Sequence, residues 1–247
     1  MGRTLRDGIV ALFLTLVFAA MLKSCVIDAF KIPSASMVPV LKPGDFLLVN
    51  KFLLGARTPE KFLYLKLPHL RFPALRSVRR GDVLVFEFPG EPNEAVMVRN
   101  LVLVKRCVGL PGDTVAVRDG HVMVNGAATD FFPRAEEESG PFIVPYRGLT
   151  VPLDSVAVNH WRVFIRREGH TAEFVAGAAR IDGKEAASYA VEKDYYFFIG
   201  DNINDSSDSR SWGPVAEEYI LGTAMLIYWS HDERTGIRWE RIGTVVH

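Results

Sequence analysis

Apolar and polar positions divide the chain into one long apolar run near the start and many short ones after it. Gly8 to Leu22 (GIVALFLTLVFAAML) contains no charged residue. A membrane-spanning helix needs about 20 apolar residues. The run reaches that length if Lys23 turns its ammonium outward along its alkyl stem and the helix continues through Val26 and Ile27. Arg3 and Arg6 precede it, which places the short N-terminal end in the cytoplasm. The pattern therefore predicts a tail over residues 1–7, a transmembrane anchor over 8–27 and an extracytoplasmic domain over 28–247. A cleavable leader, cut after Val17-Phe18-Ala19, is the second reading, but the apolar stretch runs on with no polar region behind it. A buried core helix is the third.

Beyond the anchor the apolar runs are short and bounded by turn residues. Phe46–Asn50, Val83–Phe88, Met97–Val108, Thr114–Val117, His121–Val124, Tyr195–Ile199 and Ala224–Trp229 read as strands. Lys42-Pro43-Gly44-Asp45, Arg80-Gly81-Asp82 and Gly109 to Asp113 read as turns, and Asn125-Gly126 signals a type I′ hairpin. The pattern changes over about 129–193. There Arg134–Glu138 reads as a solvated loop and Phe142–Pro152 as extended. Leu153–His170 reads as a helix, with Ser155 as N-cap, and a small hairpin is expected around Asp182-Gly183. The fold class is mainly β: an anchor followed by an antiparallel β domain with a small inserted α+β region.

Between anchor and domain lies Lys31–Leu41, KIPSASMVPVL. Pro33 and Pro39 fix their own φ and push the preceding residue out of the α region, so the segment is expected to be extended and stiff. Its Ser36 lies only nine residues after Ile27, at most about 30 Å of chain from the end of the anchor. Further on, residues 51–80 set eight basic residues against the single acid Glu60, interleaved with large apolar ones. A surface lying on anionic lipid and an ordinary loop packing its apolar residues inward both fit this pattern.

Charge and cysteine content narrow the classes. The formal net charge is zero, so no global field argues for nucleic acid. Two cysteines, Cys25 and Cys107, make neither a metal framework nor a disulfide lattice and read as unpaired structural thiols. There is no HExxH, no Gly-rich phosphate loop, no CxxC and no GxSxG, and the six histidines stand at no partner spacing.

Two stretches remain as candidate chemistry. Lys105 ends the run Leu101-Val102-Leu103-Val104, and strand alternation sets it on one face with Leu101, Leu103 and Cys107. Burial of that face would lower the lysine pKa, and a neutral lysine accepts a serine proton. From this stretch alone, a strand-end lysine turned to water beside Arg106 stands ahead. The second stretch, Gly200 to Arg210 (GDNINDSSDSR), is a tight loop whose side chains bond its own backbone. As a calcium loop it puts Ile203 where a ligand is needed and lacks the required glycine. A loop whose serines hold another side chain in place is the preferred reading.

Together these residues resemble the bacterial type I signal peptidases. Pro33-Ser34-Ala35-Ser36-Met37-Val38-Pro39 resembles their P-S-x-S-M-x-P box, and Arg80-Gly81-Asp82-Val83 their R-G-D-[IV] box. Lys105-Arg106 through Gly109-Leu110-Pro111-Gly112-Asp113 is similar to K-R-x-x-G-x-P-G-D. Gly200-Asp201-Asn202 with Ser206, Asp208, Ser209 and Arg210 is similar to G-D-N-x-x-x-S-x-D-S-R, extended by Trp212-Gly213. The boxes stand in family order and cover most of the chain outside 51–78 and 129–193. Val40 departs from the usual threonine, and Ile203 replaces an arginine common after G-D-N, removing a possible salt bridge near the loop.

The resemblance implies a membrane-bound serine endopeptidase acting through a Ser-Lys dyad and an acyl-enzyme. Ser36 is the nucleophile and Lys105 the general base. Ser34 Oγ and the Ser36 N–H form the oxyanion hole. Ser206 holds Lys105, with Asp208 and Arg210 supporting it as an ion pair. Pro33, Met37, Leu41 and Val104 line shallow pockets for the small side chains of an A-x-A-like site, where the substrate adds as a strand. The implied partners are signal-peptide-bearing preproteins, the lipid bilayer and a nearby secretion translocon, with no nucleic acid, cofactor or metal. Two other classes share some of these features. A Ser-Lys self-cleaving repressor would need a DNA-binding domain where the anchor stands, and a non-enzymatic anchored β module would make the serines structural.

Overall fold

The computed structural model describes residues 2–55, 61–62, 65–66, 71–91 and 101–247. In chain order its elements begin with helix α1 (Gly2–Cys25), strands β1 (Ile27–Lys31) and β2 (Asp45–Asn50), and the two-residue strands β3 (Lys61–Phe62) and β4 (Leu65–Lys66). Strands β5 (Val83–Glu87), β6 (Val102–Gly109), β7 (Thr114–Arg118), β8 (His121–Val124), β9 (Ala127–Ala128), β10 (Ser139–Ile143) and β11 (Thr150–Pro152) come next. Helix α2 (Ser155–Arg167) precedes β12 (Ala172–Val175), β13 (Ala178–Ile181), β14 (Lys184–Glu185), β15 (Ser188–Ala190) and β16 (Tyr195–Ile199). Helix α3 (Ser209–Trp212), β17 (Val215–Ala216), β18 (Ile220–Asp232) and β19 (Gly236–Ile237) complete the chain. All the strand pairs are antiparallel, so the mainly β expectation holds.

Contacts divide the chain into two compact units. One comprises residues 1–32, 43–77 and 221–246. Its sheet runs β1–β2–β18, with β19 on β18. Strand β2 alternates strictly, burying Asp45, Leu47 and Val49. The buried Asp45 carboxylate is tolerated because Arg241 pairs with it at 2.5 Å and Ser230 Oγ donates to it at 2.7 Å. In α1 the side chains of Ile9, Leu12, Phe13, Leu14 and Leu16 are 59–62% exposed. Among the described residues no helix is long and apolar enough to cross a membrane. The expected continuation through Val26 and Ile27 does not occur. The helix stops at Cys25, and Ile27 begins a strand whose backbone pairs along β2 from Ile27↔Asn50 to Lys31↔Phe46. In the basic stretch, residues 56–60, 63–64 and 67–70 lie outside the described residues. Of the rest, Leu54 is buried under an Arg71 guanidinium bonded to its carbonyl, while Phe72 and Leu75 face outward.

The second unit comprises residues 33–42, 78–220 and 247. It contains the strand run β5–β6–β16–β17 and a separate sheet β10–β7–β8–β9. Valines of β7 and β8 (Val115, Val117, Val122, Val124) pack on Phe197 and Ile199 of β16 and on Ile203. All five residues of β16 are buried, as its unbroken apolar run YYFFI predicts. The two-residue turn Asn125-Gly126 joins β8 to β9, and Asp182-Gly183 joins β13 to β14. Sequence reading missed two turns of the same kind, at Asp119-Gly120 and Ala176-Gly177.

Helix α2 lies over a small core of Val158, Ile165, Ala172, Ala179 and Tyr189. Its N-cap is Asp154, not the expected Ser155: the Asp154 carboxylate accepts from the N–H groups of Val156 and Ala157 at 2.9 and 2.7 Å. A carboxylate one residue earlier reaches both free N–H groups, and this takes Ser155 into the helix. Replacement Asp154→Ala is expected to cost about 1 kcal/mol in urea unfolding, and Ser155→Ala only a few tenths. The reverse order of losses would contradict this capping assignment.

Candidate active site

Strand β6 carries Lys105 opposite Leu84 of β5, in the half of the strand where burial is continuous through Gly109. Leu101, expected on the same buried face, lies before the strand and is 44% exposed, so burial begins at the lysine itself. Lys105 is 3% exposed. The reading of a lysine turned to water is therefore overturned. Its Nζ donates to Ser36 Oγ at 2.5 Å and to Ser206 Oγ at 3.2 Å. Removal of water from the ammonium lowers its pKa from 10.5 to about 8, against the pull of the Asp208 charge, with Arg210 adding to the drop.

The segment around Ser36 is not extended. Val38 N–H donates to the Ala35 carbonyl at 3.0 Å and Leu41 N–H to the Met37 carbonyl at 2.8 Å, closing two successive turns. Each proline restricts only itself and the residue before it, Ile32 or Val38, which leaves Ser34–Met37 free to bend. The buried side chains of Met37 and Leu41 pin the turn from below. At its crest, Ser34 Oγ stands 3.4 Å from Ser36 Oγ.

The loop after β16 holds this turn by its backbone. Asn202 N–H donates to the Ser36 carbonyl at 3.1 Å, and Asn202 Nδ2 donates to the Ala35 carbonyl at 3.2 Å. Gly200 lets the two chains approach, since a Cβ there would collide with both Ser206 Oγ and the Ser36 carbonyl oxygen. The fully buried Asp208 accepts from Arg210 Nε and Nη2, both at 2.8 Å, and from the Gly200 N–H at 3.2 Å. Ser206 meets Lys105 directly, and the Asp208–Arg210 pair lies in the same loop, near enough to act on the lysine charge. Ile203 does not leave the loop unbraced. Its side chain is buried in the valine core, and its carbonyl accepts from Arg210 Nη2 at 2.6 Å.

Sequence reasoning missed a second brace. Arg106, next to Lys105 in the strand, is buried. It makes a bidentate bond to Asp201 at 2.7 and 2.8 Å and donates to the Gly81 carbonyl at 2.7 Å. Arg80 likewise grips Asp113, at 2.6 and 3.1 Å. The signal was an arginine within an apolar strand together with an acid in a distant loop, a combination that is buried only as a pair. Of the four expected pocket residues, Pro33 is exposed, Val104 half-buried, and Met37 and Leu41 are buried. The carboxylates of Asp201 and Asp208 are each engaged by a guanidinium, which leaves the calcium reading of the loop without its ligands.

The arrangement sets a hydroxyl and an easily deprotonated amine in contact, with a second hydroxyl orienting the amine. That is the equipment for nucleophilic attack with general-base assistance. A family model described as "Signal peptidase, peptidase S26" matches residues 5–229. Signal peptidase I of Pseudomonas aeruginosa is 31% identical over 255 residues, covering 94% of this chain and 76% of its own. That of Pseudomonas fluorescens is 32% identical over 233 residues, covering 90% and 71%. That of Aquifex aeolicus is 29% identical over 243 residues, covering 92% and 85%.

Two substitutions test the geometry without reference to substrate. An ammonium buried at a folded pKa of about 8 opposes folding below that pH, and the penalty is relieved as pH rises toward the unfolded value of 10.5. Lys105→Met should therefore raise the unfolding free energy at neutral and acid pH, by roughly 3 kcal/mol at most, and the unfolding temperature with it. The gain should shrink between those two pKa values; a Met variant less stable at acid pH would contradict the burial argument. Gly200→Ala should separate Ser206 from the Ser36 turn, with a loss of about 2 kcal/mol or more in thermal unfolding.

Proposed function

The chain belongs to the signal peptidase family, peptidase S26, and from that membership we propose that it removes signal peptides from translocated preproteins, with Ser36 as nucleophile and Lys105 as general base. The observation that carries the residue assignment is the 2.5 Å contact between Lys105 Nζ and Ser36 Oγ around a lysine stripped of water. In this reading the neutral Lys105 takes the Ser36 proton as Oγ attacks the scissile carbonyl carbon. The proton then passes to the departing amine, the new N-terminus of the mature protein. The acyl group remains on Ser36 as an ester. Lys105, neutral again, draws a proton from water, and the hydroxide equivalent releases the signal peptide.

The surrounding groups take supporting roles. Ser34 Oγ, beside Ser36 Oγ, and the Ser36 N–H stabilise the oxygen that becomes negative. Ser206 keeps the amine aimed, and the Asp208–Arg210 pair keeps Ser206 in place. Pro33 and Val104 form the accessible rim of a shallow substrate site, with Met37 and Leu41 as its floor. The small residues of an A-x-A-like cleavage site suit a site with so little depth.

The charge-free run Gly8–Leu22, with Ile9, Leu12, Phe13, Leu14 and Leu16 exposed on α1, supports a single-pass anchor with the N-terminus in the cytoplasm. The catalytic residues then lie outside the cytoplasm, near the translocon from which preproteins emerge. Phe52, Phe72, Leu75 and Trp239 are exposed in the unit that includes α1, and this supports contact with the lipid surface.

Cleavage of a model preprotein in detergent or vesicles tests the proposal. Ser36→Ala and Lys105→Ala should each lower kcat by at least roughly a thousandfold while the fold is retained. Appreciable cleavage by either variant would remove that residue from the dyad. For wild type, kcat/KM should rise with pH and level off above about 8, because the base acts only when neutral. A rate still climbing at the ordinary lysine pKa of 10.5 would contradict it.

A further inference from the structure

Helix α2 belongs to the region 129–193, in which none of the four boxes lies, yet its last residue reaches the loop behind the dyad. The Arg167 guanidinium donates from Nη1 to the Trp212 carbonyl at 3.0 Å, and from Nη2 to the Gly90 and Glu91 carbonyls at 3.0 and 2.9 Å. Trp212 closes α3, the short helix that Asp208 caps and that carries Arg210. Gly90 and Glu91 follow β5, the strand that pairs with β6 at Leu84↔Lys105.

Trp212 is well suited to be held in this way. Its ring is buried against Phe86 of β5 and Phe88 just after it, with both centroid separations at 5.9 Å. Its indole Nε1 has no hydrogen-bond partner among the described residues, so the ring is placed by packing alone. The Arg167 bond to its carbonyl supplies a directional constraint. Aromatic contacts permit sliding and tilting; a guanidinium with donors on three carbonyls does not. Upstream of Trp212, Arg210 bonds Asp208 and the carbonyls of Ile203 and, at 3.4 Å, Ser206. Ser206 in turn meets Lys105.

We propose that Arg167 is a positioning residue for the catalytic loop: by bonding the Trp212, Gly90 and Glu91 carbonyls it fixes α3 against the end of β5 and so sets where Ser206 meets Lys105. This rests on the roles proposed above for Ser36, Lys105 and Ser206. It also gives the region carrying α2 a part in the reaction, as the outer prop of the loop that orients the base. The guanidinium is itself partly desolvated, which lowers its pKa and strengthens its bonds to these carbonyls.

Full-length wild type, Arg167→Gln and Arg167→Lys distinguish positioning from mere stability. Displacing a catalytic group by about 1 Å costs up to roughly a hundredfold, so Arg167→Gln should lower kcat by about 10- to 100-fold with KM little changed. Burial is the largest cause of the low Lys105 pKa, so a loosened loop should move the rising limb of kcat/KM from about 8 toward 10.5. Arg167→Lys, which keeps the charge but loses the planar fork, should recover part of both effects. Backbone hydrogen exchange should accelerate over residues 203–212 in Arg167→Gln. That readout needs no cleavage, so it judges the Arg167 link even if the dyad assignment fails; survival of cleavage in Ser36→Ala would defeat the dyad alone. An unchanged pH limb with unchanged kcat per folded molecule, and unchanged exchange in the loop, would overturn the proposal. If Arg167→Gln does not fold, Arg167→Lys decides the matter, and failure of both to fold would make Arg167 structural and overturn it too.

Discussion

The site depends on keeping one lysine dry. A lysine ammonium prefers water by several kcal/mol, and Lys105 has been taken out of it almost entirely. Among the described residues no carboxylate pairs with it at contact distance, where it would hold the proton. The chain gives the amine two serine hydroxyls and keeps the nearest acids occupied: Asp208 by Arg210 and Asp201 by Arg106. A buried amine with polar but uncharged neighbours is a base whose pKa lies near physiological pH. The same amine on the surface would be a spectator.

Keeping it dry demands rigid surroundings, and much of the second unit supplies them. Strands β5 and β16 flank β6 and hold the backbone that carries the lysine. The loop after β16 approaches the Ser36 turn so closely that only glycine fits at residue 200. Asn202 bonds that turn twice. Two arginines, the buried Arg106 and the half-buried Arg210, each satisfied by a bidentate carboxylate, fix the loop ends. The cost is a lower stability than an apolar residue at position 105 would give, a common exchange of stability for reactivity.

Much of this was legible in the sequence, for identifiable reasons. Buried strands such as Tyr195–Ile199 announce themselves by unbroken apolar runs, and Asn125-Gly126 and Asp182-Gly183 by residues that tolerate positive φ. The pairing of Ser36 with Lys105 came from a resemblance, because 69 residues separate them and no local pattern links them. What failed depended on tertiary context. Prolines at 33 and 39 argued for an extended segment, but they govern only themselves and the residues before them, and hydrogen bonds to the Ala35 and Met37 carbonyls bent the rest. The Arg106–Asp201 brace went unread because Asp201 is a loop residue far along the chain. The anchor was predicted through Ile27, but backbone pairing with β2 claimed that residue for a strand.

The most direct test of the central claim is the titration of Lys105 itself, followed by NMR of protein labelled at lysine Cε, with the resonance assigned by its loss in Lys105→Met. A midpoint near 8 would show that burial has converted this lysine into a base usable at physiological pH. A midpoint at the ordinary value of 10.5 would mean that water reaches the amine, and the proposed mechanism would lose its base.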